Sequence, residues 1–523
     1  MEFTLKLSTL SPILAVVFLT VISQPVHGAS RCNRRAESSS DNHAKVLILG
    51  AGASGLQASR ILHDAGMDDF IIIEGADQIG GRVRSTTFAN RTIELGAGWT
   101  YGPVRPTVHQ LVKDINLDRR TNDYDSITIR NDTGNNVTDQ AFGDYDKFEP
   151  AMEKLFSLKA RIQSKKSNPD MSQRSALRLG GWSPKSDTQK LIEWFDIDFE
   201  FAEATEVLSA SEARDFGDTQ FLKDPRGFKA IFDVVAGFLK EPEFINHTRL
   251  NQRVVSIDQS DPASVVVTCE DGTVFTADQV LVTFSLGVLQ NDLVEFIPPL
   301  PEWKDVVIKK SLIAAYSHIY LSFPTKFWDD TEWILHASPR QGYFPAFLNF
   351  QAEGFDPDGM PSLLATLTGD ESRRVEAEPV SQTKAEIEQV LRNMYGDSIP
   401  DIEDILISGW TSNPLTMGSY STWPTELSRQ CTDALEGRVD RVFFGGEATS
   451  AVHYGYVEGG LDSGKREGLK ILDCMENFEE CPLYEGGGLG CEVPEASSAT
   501  LVHCSSYNFL CKLFVFGLVY LLI

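Results

Sequence analysis

The chain has 523 residues, 42% hydrophobic and 23% charged, a globular composition that excludes wholesale disorder, collagen-like repeats and a coiled-coil fibre and leaves room for two or three domains. Lysine and arginine total 47 against 74 acidic residues, a formal charge of -27. Such a surface repels phosphodiester backbones and anionic lipid while attracting cations, so nucleic acid is not an expected partner.

Lys6, an apolar run from Ile13 to Ile22 and the small residues Gly28-Ala29-Ser30 have the order of a secretory signal peptide over residues 1–28. The run is well short of the ~20 residues that span a bilayer. The expected location is therefore extracellular or in a cell wall, and four Asn-x-Thr sequons, at Asn90, Asn131, Asn136 and Asn246, are candidate glycan sites.

After a polar linker (29–44), Lys45-Val-Leu-Ile-Leu49 predicts a fully buried parallel strand. It runs into Gly50-Ala-Gly52-Ala-Ser54-Gly55, then a helical pattern (Leu56, Ala58, Ile61, Leu62, Ala65), then a second apolar run, Phe70-Ile-Ile-Ile73, ending in Glu74. That is one βαβ unit of about 30 residues. Gly50, Gly52 and Gly55 serve a tight turn, close approach to a pyrophosphate, and helix-on-strand packing. The helix start near Ser54 offers free N–H groups to phosphate, and the carboxylate of Glu74 is placed to accept both ribose hydroxyl protons. Gly80-Gly81-Arg82-Val83-Arg84 adds a second close approach and an arginine suited to neutralise the pyrophosphate.

The middle, from about Val108 to Leu222, reads as charged helix without a repeat. Arg253 to Ile257, Ser264 to Cys269 and Gln279 to Phe284, with a turn at Asp271-Gly272, predict a meander. Ile313 to Phe323 and Phe344 to Thr368 alternate as strands of an antiparallel sheet, a charged helix covers Ser381 to Tyr395, and Arg441-Val-Phe-Phe444 leads into Gly445-Gly446-Glu447.

Eight cysteines are too few for a disulfide framework, but Cys474, Cys481, Cys491, Cys504 and Cys511 crowd the C-terminal stretch, a pattern of local staples. The final residues, Phe509 to Ile523, are apolar apart from Lys512 and follow a Gly-rich segment (Glu485 to Gly490) and Ala496-Ser-Ser-Ala499. Two readings stay open for this tail: a GPI-attachment signal, which would be the protein's one link to a membrane, or an end that packs on the protein.

Glu94-Leu-Gly96-Ala97-Gly98-Trp99, together with Phe444-Gly445-Gly446-Glu447-Ala448-Thr449 and Gly455-Tyr456-Val457-Glu458-Gly459, resembles the flavin-containing amine oxidases over nearly all of Lys45 to Leu472. Within that family the chain is most similar to secreted plant and fungal polyamine oxidases. The carrying stretches are Asp198-Phe-Glu200-Phe-Ala-Glu203, Thr283 to Leu289, Tyr316-Ser-His318-Ile and Gly418-Ser-Tyr420-Ser-Thr-Trp423-Pro424.

The resemblance implies an α/β fold. A doubly wound, Rossmann-like FAD-binding domain (45–107, 225–300, 438–475) would be interleaved with an α+β substrate domain (108–224, 301–437) carrying an antiparallel sheet, followed by a tail (476–523). FAD would contact Gly50, Gly52, Ser54, Gly55, Glu74, Arg82, Gly98, Trp99, Val254, Trp410, Glu447, Tyr456 and Val457. Glu200 would receive a substrate ammonium group, and Tyr420 and Tyr456 would wall the oxidised nitrogen. No metal is expected. The implied reaction is polyamine oxidation with molecular oxygen as acceptor, the partner being a small polycationic amine.

Two departures stand out. His318 replaces the family lysine that is hydrogen-bonded through water to the flavin, and Tyr101 replaces a second acid of the plant members. A histidine titrates near neutrality, so a pH-dependent reoxidation or hydrolysis step is expected, with an ordinary core histidine as the alternative. Glu203 equally reads as a solvated surface acid. An L-amino-acid oxidase needs a carboxylate clamp, for which Arg226, Arg253 and Arg340 are not well placed. A flavin-bound but inactive binding protein is the other rival.

Overall fold

The computed structural model describes residues 42–484, except 166–167, 215–216, 218, 426 and 428–430. The expected signal peptide and nearly all of the C-terminal tail lie outside the described residues.

The apolar run after the linker is strand β1 (His43–Leu49), whose last four residues are all buried. It pairs in parallel on both sides, with Phe70–Ile73 (β2) and with the long strand Val274–Val282. This two-sided burial is why the run carries no polar alternation. Thr248–Arg249 extends the sheet in parallel beyond β2, and Val442–Phe444 pairs in parallel with the C-terminal part of Val274–Val282. The other half of that strand pairs antiparallel with Val265–Cys269, which in turn pairs antiparallel with Val254–Asp258, the meander the turn residues announced. Strands from three distant stretches of chain thus share one parallel-rich sheet.

Helix α1 (Ala53–Asp64) follows β1 directly and lies against the C-terminal helix Val457–Glu476. Gly460, Gly464 and Gly468 repeat every four residues along the facing side of that helix. A Cβ on Gly464 would stand 2.1 Å from the Ser54 main-chain oxygen, so only glycine permits this contact. The C-terminal helix ends in a Cys474–Cys481 disulfide, one of the local staples anticipated.

The second sheet is ordered Asp404–Ile407, Tyr316–Ser322, Ser362–Thr368, Ala346–Asn349, Trp333–Ala337, Ile127–Asn131. It is antiparallel except for the last pair. The α/β class and the antiparallel second sheet are as expected. The middle of the chain differs: between the helices Pro106–Asp114 and Thr138–Gln163 it forms strands Arg119–Thr121 and Ile127–Asn131, and it closes on Gln220–Leu222. These strands are short and partly polar, and Ile127–Asn131 finds its partner at Trp333–Ala337. Arg119–Thr121 is too short and polar to be marked, whereas Ile127-Thr-Ile129-Arg130 carries a brief β-branched alternation that the helical reading of this stretch overlooks.

Candidate active site

One cavity runs between the two sheets. Gly50, Gly52, Ser54, Glu74, Arg82, Val254, Glu447 and Val457 line it together with Gly98, Trp99, Glu200, His318, Trp410, Tyr420 and Tyr456. Of the residues expected at the site, Gly55 alone lies behind the wall, where its Cβ would come 2.0 Å from the Gly50 carbonyl oxygen. It brings helix and strand together, the packing task assigned to the third glycine.

At one end the turn after β1 leaves through Gly50 at φ +107°. The glycines of the two loops face each other, since a Cβ on Gly81 would be 3.2 Å from the Gly52 Cα. Gly80 N donates to the Ala51 carbonyl (2.8 Å). Around this cradle three polar residues hold protein partners. Glu74 accepts from Ala51 N (2.7 Å) and Ala76 N (2.8 Å); burial pushes its carboxyl up, and these amides pull it down. Ser54 Oγ accepts from Gly446 N (3.0 Å) and from Ser463 Oγ (3.0 Å), joining the first and last motifs of the chain. Arg82 Nη1 donates to Glu447 Oε1 (2.9 Å) and to the Ser419 carbonyl (3.0 Å). Arg82 thus shares its charge with Glu447, because a carboxylate this buried needs a cation, and it lines the cavity beside the glycine cradle. Trp99 Nε1 donates to Asn122 Oδ1 (3.0 Å) and Trp410 Nε1 to the Leu95 carbonyl (2.8 Å), fixing both indoles as walls.

At the other end stands Glu200. The helix Asp187–Glu193 continues into a π-helical turn, Trp194–Asp198, then Phe199–Phe201, and stops at Ala202 in the left-handed region (φ 58°). This irregular ending sends Glu200 into the cavity and Glu203 away from it, consistent with the frequent use of π-turns at sites. Glu203 is buried and ion-paired with Arg373, which rules out the solvated alternative. Glu200 Oε1 accepts from the hydroxyls of Tyr101 (2.7 Å) and Tyr456 (2.8 Å), while its main-chain oxygen accepts from Tyr420 (2.7 Å). Its Oε2 has no hydrogen bond among the described residues. Burial raises the Glu200 carboxyl, opposed by the two tyrosines and then by Arg105 and Arg214. Burial also holds Tyr101, Tyr316, Tyr420 and Tyr456 well above the usual phenol range, so all four remain neutral.

His318 sits on the buried strand Tyr316–Ser322. Its Nδ1 is 3.0 Å from the Glu94 carbonyl oxygen, which can only accept, so Nδ1 carries the proton and Nε2 presents a lone pair. Nε2 is buried without a partner. Burial pushes the pKa from 6.5 down to about 4, which corrects the expected titration near neutrality. His318 is neutral from about pH 6 upward, and turnover should show no limb from it there. As pH falls the unfolded chain takes up this proton first, so the stability contribution is complete above about 6.5 and is lost towards 4. A His318→Asn variant should have a flatter stability curve across that window; an unchanged slope in pH-dependent denaturation would refute this.

Several cavity residues escaped sequence reasoning. Tyr101, noted only as a lost acid, is a Glu200 partner, and Tyr124 and Tyr316 also line the space. Arg105 and Arg214 enter it as well, whereas Arg226 pairs with Asp224 and Arg340 with Glu371. The available signal for Arg105 was its place in Gly102-Pro-Val-Arg105-Pro106, just past the Trp99 strand. Arg214 lies in irregular chain with no signal.

A glycine cradle at the end of a parallel strand, leading to a carboxylate among tyrosines, is the arrangement of a nucleotide-binding site that opens onto a pocket for a small polar molecule. The chain belongs to the flavin-containing amine oxidoreductase family, whose description matches residues 53–471. It is 35% identical to polyamine oxidase 1 of Zea mays over 459 residues, covering 83% of this chain and 91% of that one. It is equally 35% identical to polyamine oxidase 7 of Oryza sativa subsp. japonica over 489 residues, covering 88% and 99%. Among solved structures a redesigned putrescine oxidase superposes with TM-score 0.66 at 17% identity, covering 82% of this chain and 99% of that one, a likeness of fold. The cofactor is FAD. The residues fit it: the facing glycines leave room for a backbone-close pyrophosphate, and His318, which lines the same cavity, has a buried Nε2 without a partner.

Proposed function

We propose that the protein oxidises polyamines such as spermidine and spermine, yielding an aminoaldehyde, a smaller amine and hydrogen peroxide. FAD, when bound, supplies the two-electron acceptor, and oxygen regenerates it. The observation that carries this reading is a buried carboxylate, Glu200, ringed by tyrosines in the cavity that begins at the nucleotide cradle. The 35% identity to polyamine oxidases supports it.

An amine loses hydride from its α-carbon only when its nitrogen is neutral, and stripping the proton from an alkyl ammonium costs roughly 4 to 5 kcal/mol at pH 7. The neutral rings of Tyr420, Tyr456 and Tyr316 desolvate the cation and lower that cost, against about 0.5 to 2 kcal/mol of cation–π attraction that opposes it. Oε2 of Glu200 accepts the distal ammonium; a pair about 4 Å apart is worth roughly 4 kcal/mol at an effective dielectric of 20. The negative surface steers polycations inward.

Anaerobic addition of spermine to the yellow holoenzyme should bleach the flavin, with peroxide appearing once air is admitted. Glu200→Gln should raise KM for spermine roughly tenfold to a hundredfold more than KM for a monoamine. A persistent yellow spectrum would favour the inactive-binder rival, and equal effects on both amines would remove Glu200 from this role.

A further inference from the structure

Glu200 reaches the cavity because the helix before it changes pitch. Phe199 N–H bonds to the Trp194 carbonyl, five residues back, where an α-helix would bond four back. Side chains three and four apart are neighbours on an α-helix. The π-turn instead brings together Glu193 and Asp198, five apart, and one amide bridges them: Gln341 Nε2 donates to Glu193 Oε1 (3.5 Å) and to Asp198 Oδ2 (3.3 Å). Gln341 belongs to the loop between the strands Trp333–Ala337 and Ala346–Asn349. A Cβ on neighbouring Gly342 would stand 3.5 Å from the Trp194 ring, so this loop lies against the turn. Trp194 itself is pinned by its Nε1, which donates to Thr368 Oγ1 (2.9 Å).

Of the two carboxyls, Glu193 has its cation. Arg174 grips it with two nitrogens, and Trp182 Nε1 donates to its Oε2 (3.0 Å). Asp198 has none: it makes no ion pair among the described residues, and its Oδ1 is buried without a partner. The charged groups that act on it are two more carboxylates, Glu193 and Glu206, and Arg174, which is already paired with both. Burial and then Glu193 push the Asp198 carboxyl well above the usual carboxylate range, and Gln341 pulls it down. A charge there would be desolvated and repelled, so Asp198 is a neutral acid.

We propose that Asp198 is a positioning residue for the amine: tied through Gln341 to Glu193, it holds the π-turn that points the Glu200 carboxylate into the cavity. Relaxing that turn to α-helical pitch would rotate the chain beyond it by about one residue, roughly 100°, and take Oε1 out of reach of the Tyr101 and Tyr456 hydroxyls. This rests on the reading of Glu200 as the acceptor of a substrate ammonium and adds what keeps Glu200 in place.

The test compares spermine with butylamine on the holoenzyme. Asp198→Ala should raise KM for spermine about tenfold, the loss of a misplaced charge contact, with kcat and the butylamine KM changed by less than about threefold. Asp198→Asn, neutral and of the same shape, should stay within about threefold of wild type for both amines. Gln341→Ala cuts the bridge from the loop side without opening the core and should shift KM in the same direction as Asp198→Ala. In a Glu200→Gln background, Asp198→Ala should raise the spermine KM by less than about twofold further, because both changes remove one contact. Effects that multiply in this double variant would overturn the proposal, as would an asparagine variant as impaired as alanine, or a KM rise shared equally by the two amines. Failure of the underlying reading looks different: Glu200→Gln alone would then affect spermine and butylamine alike, whereas a spermine-selective Glu200→Gln effect that Asp198→Ala does not reproduce sinks only the positioning role.

Discussion

Glu447→Ala should cost about 3–5 kcal/mol of stability and empty the protein of flavin, the loss expected when one member of a buried ion pair is removed. The carboxylate gathers three separate stretches of chain. Oε1 accepts from Arg82 Nη1 (2.9 Å) and Ser421 N (3.2 Å), and Oε2 accepts from the Ser421 hydroxyl and Gly455 N. With 9% of the Glu447 side chain exposed and 23% of Arg82, solvent screens the pair weakly, and truncation leaves Arg82 with its charge unmatched in the wall. Glu447→Gln keeps an acceptor for Arg82 and should lie between wild type and alanine. Denaturant unfolding and the ratio of flavin to protein absorbance measure both effects; an alanine variant with full flavin and unchanged stability would sink the assignment of Glu447 as the keystone of this wall.

Gly55→Ala should also release the cofactor, at about 3 kcal/mol, the upper part of the range for over-packing. The added methyl would stand 2.0 Å from the Gly50 carbonyl oxygen and 3.1 Å from Ile48 Cγ2. One is main chain in a tight turn and the other a buried strand residue, so neither can yield without moving the start of α1. Gly143→Ala is the matched control. Gly143 lies inside the helix Thr138–Gln163 with nothing within 4 Å of a new Cβ, so alanine there should stabilise by about 0.5–1 kcal/mol through helix propensity. Flavin occupancy and thermal unfolding of the two variants side by side separate a steric effect from a general intolerance of alanine.

The strand, glycine turn, helix and second strand from His43 to Ile73 were readable in the chain because each imposes its demand within a few residues: two-sided burial, positive φ, close packing. The same holds for the meander and its Asp271-Gly272 turn. The strand Ile127–Asn131 was not, because only two apolar residues alternate within it and it lies between two charged helices. Arg82 illustrates a subtler limit. An arginine beside a pyrophosphate cradle reads as a phosphate ligand, and folding adds a partner that no local motif announces, Glu447, 365 positions along the chain.

Residue order alone established the nucleotide-binding unit, since it rests on short-range backbone requirements that recur wherever the same glycines and apolar runs occur, and the resemblance of its motifs to the amine oxidases supplied the class of fold and the family. The chemistry at the far end of the cavity emerged from folding. Tyr101 and Tyr456 reach Glu200 across 99 and 256 positions of chain. His318 is held neutral by burial that no neighbouring residue encodes, and Arg105 and Arg214 arrive from loops without any periodic signal. Proximity and desolvation are properties of packed segments, and they set which groups meet and what charge each one keeps.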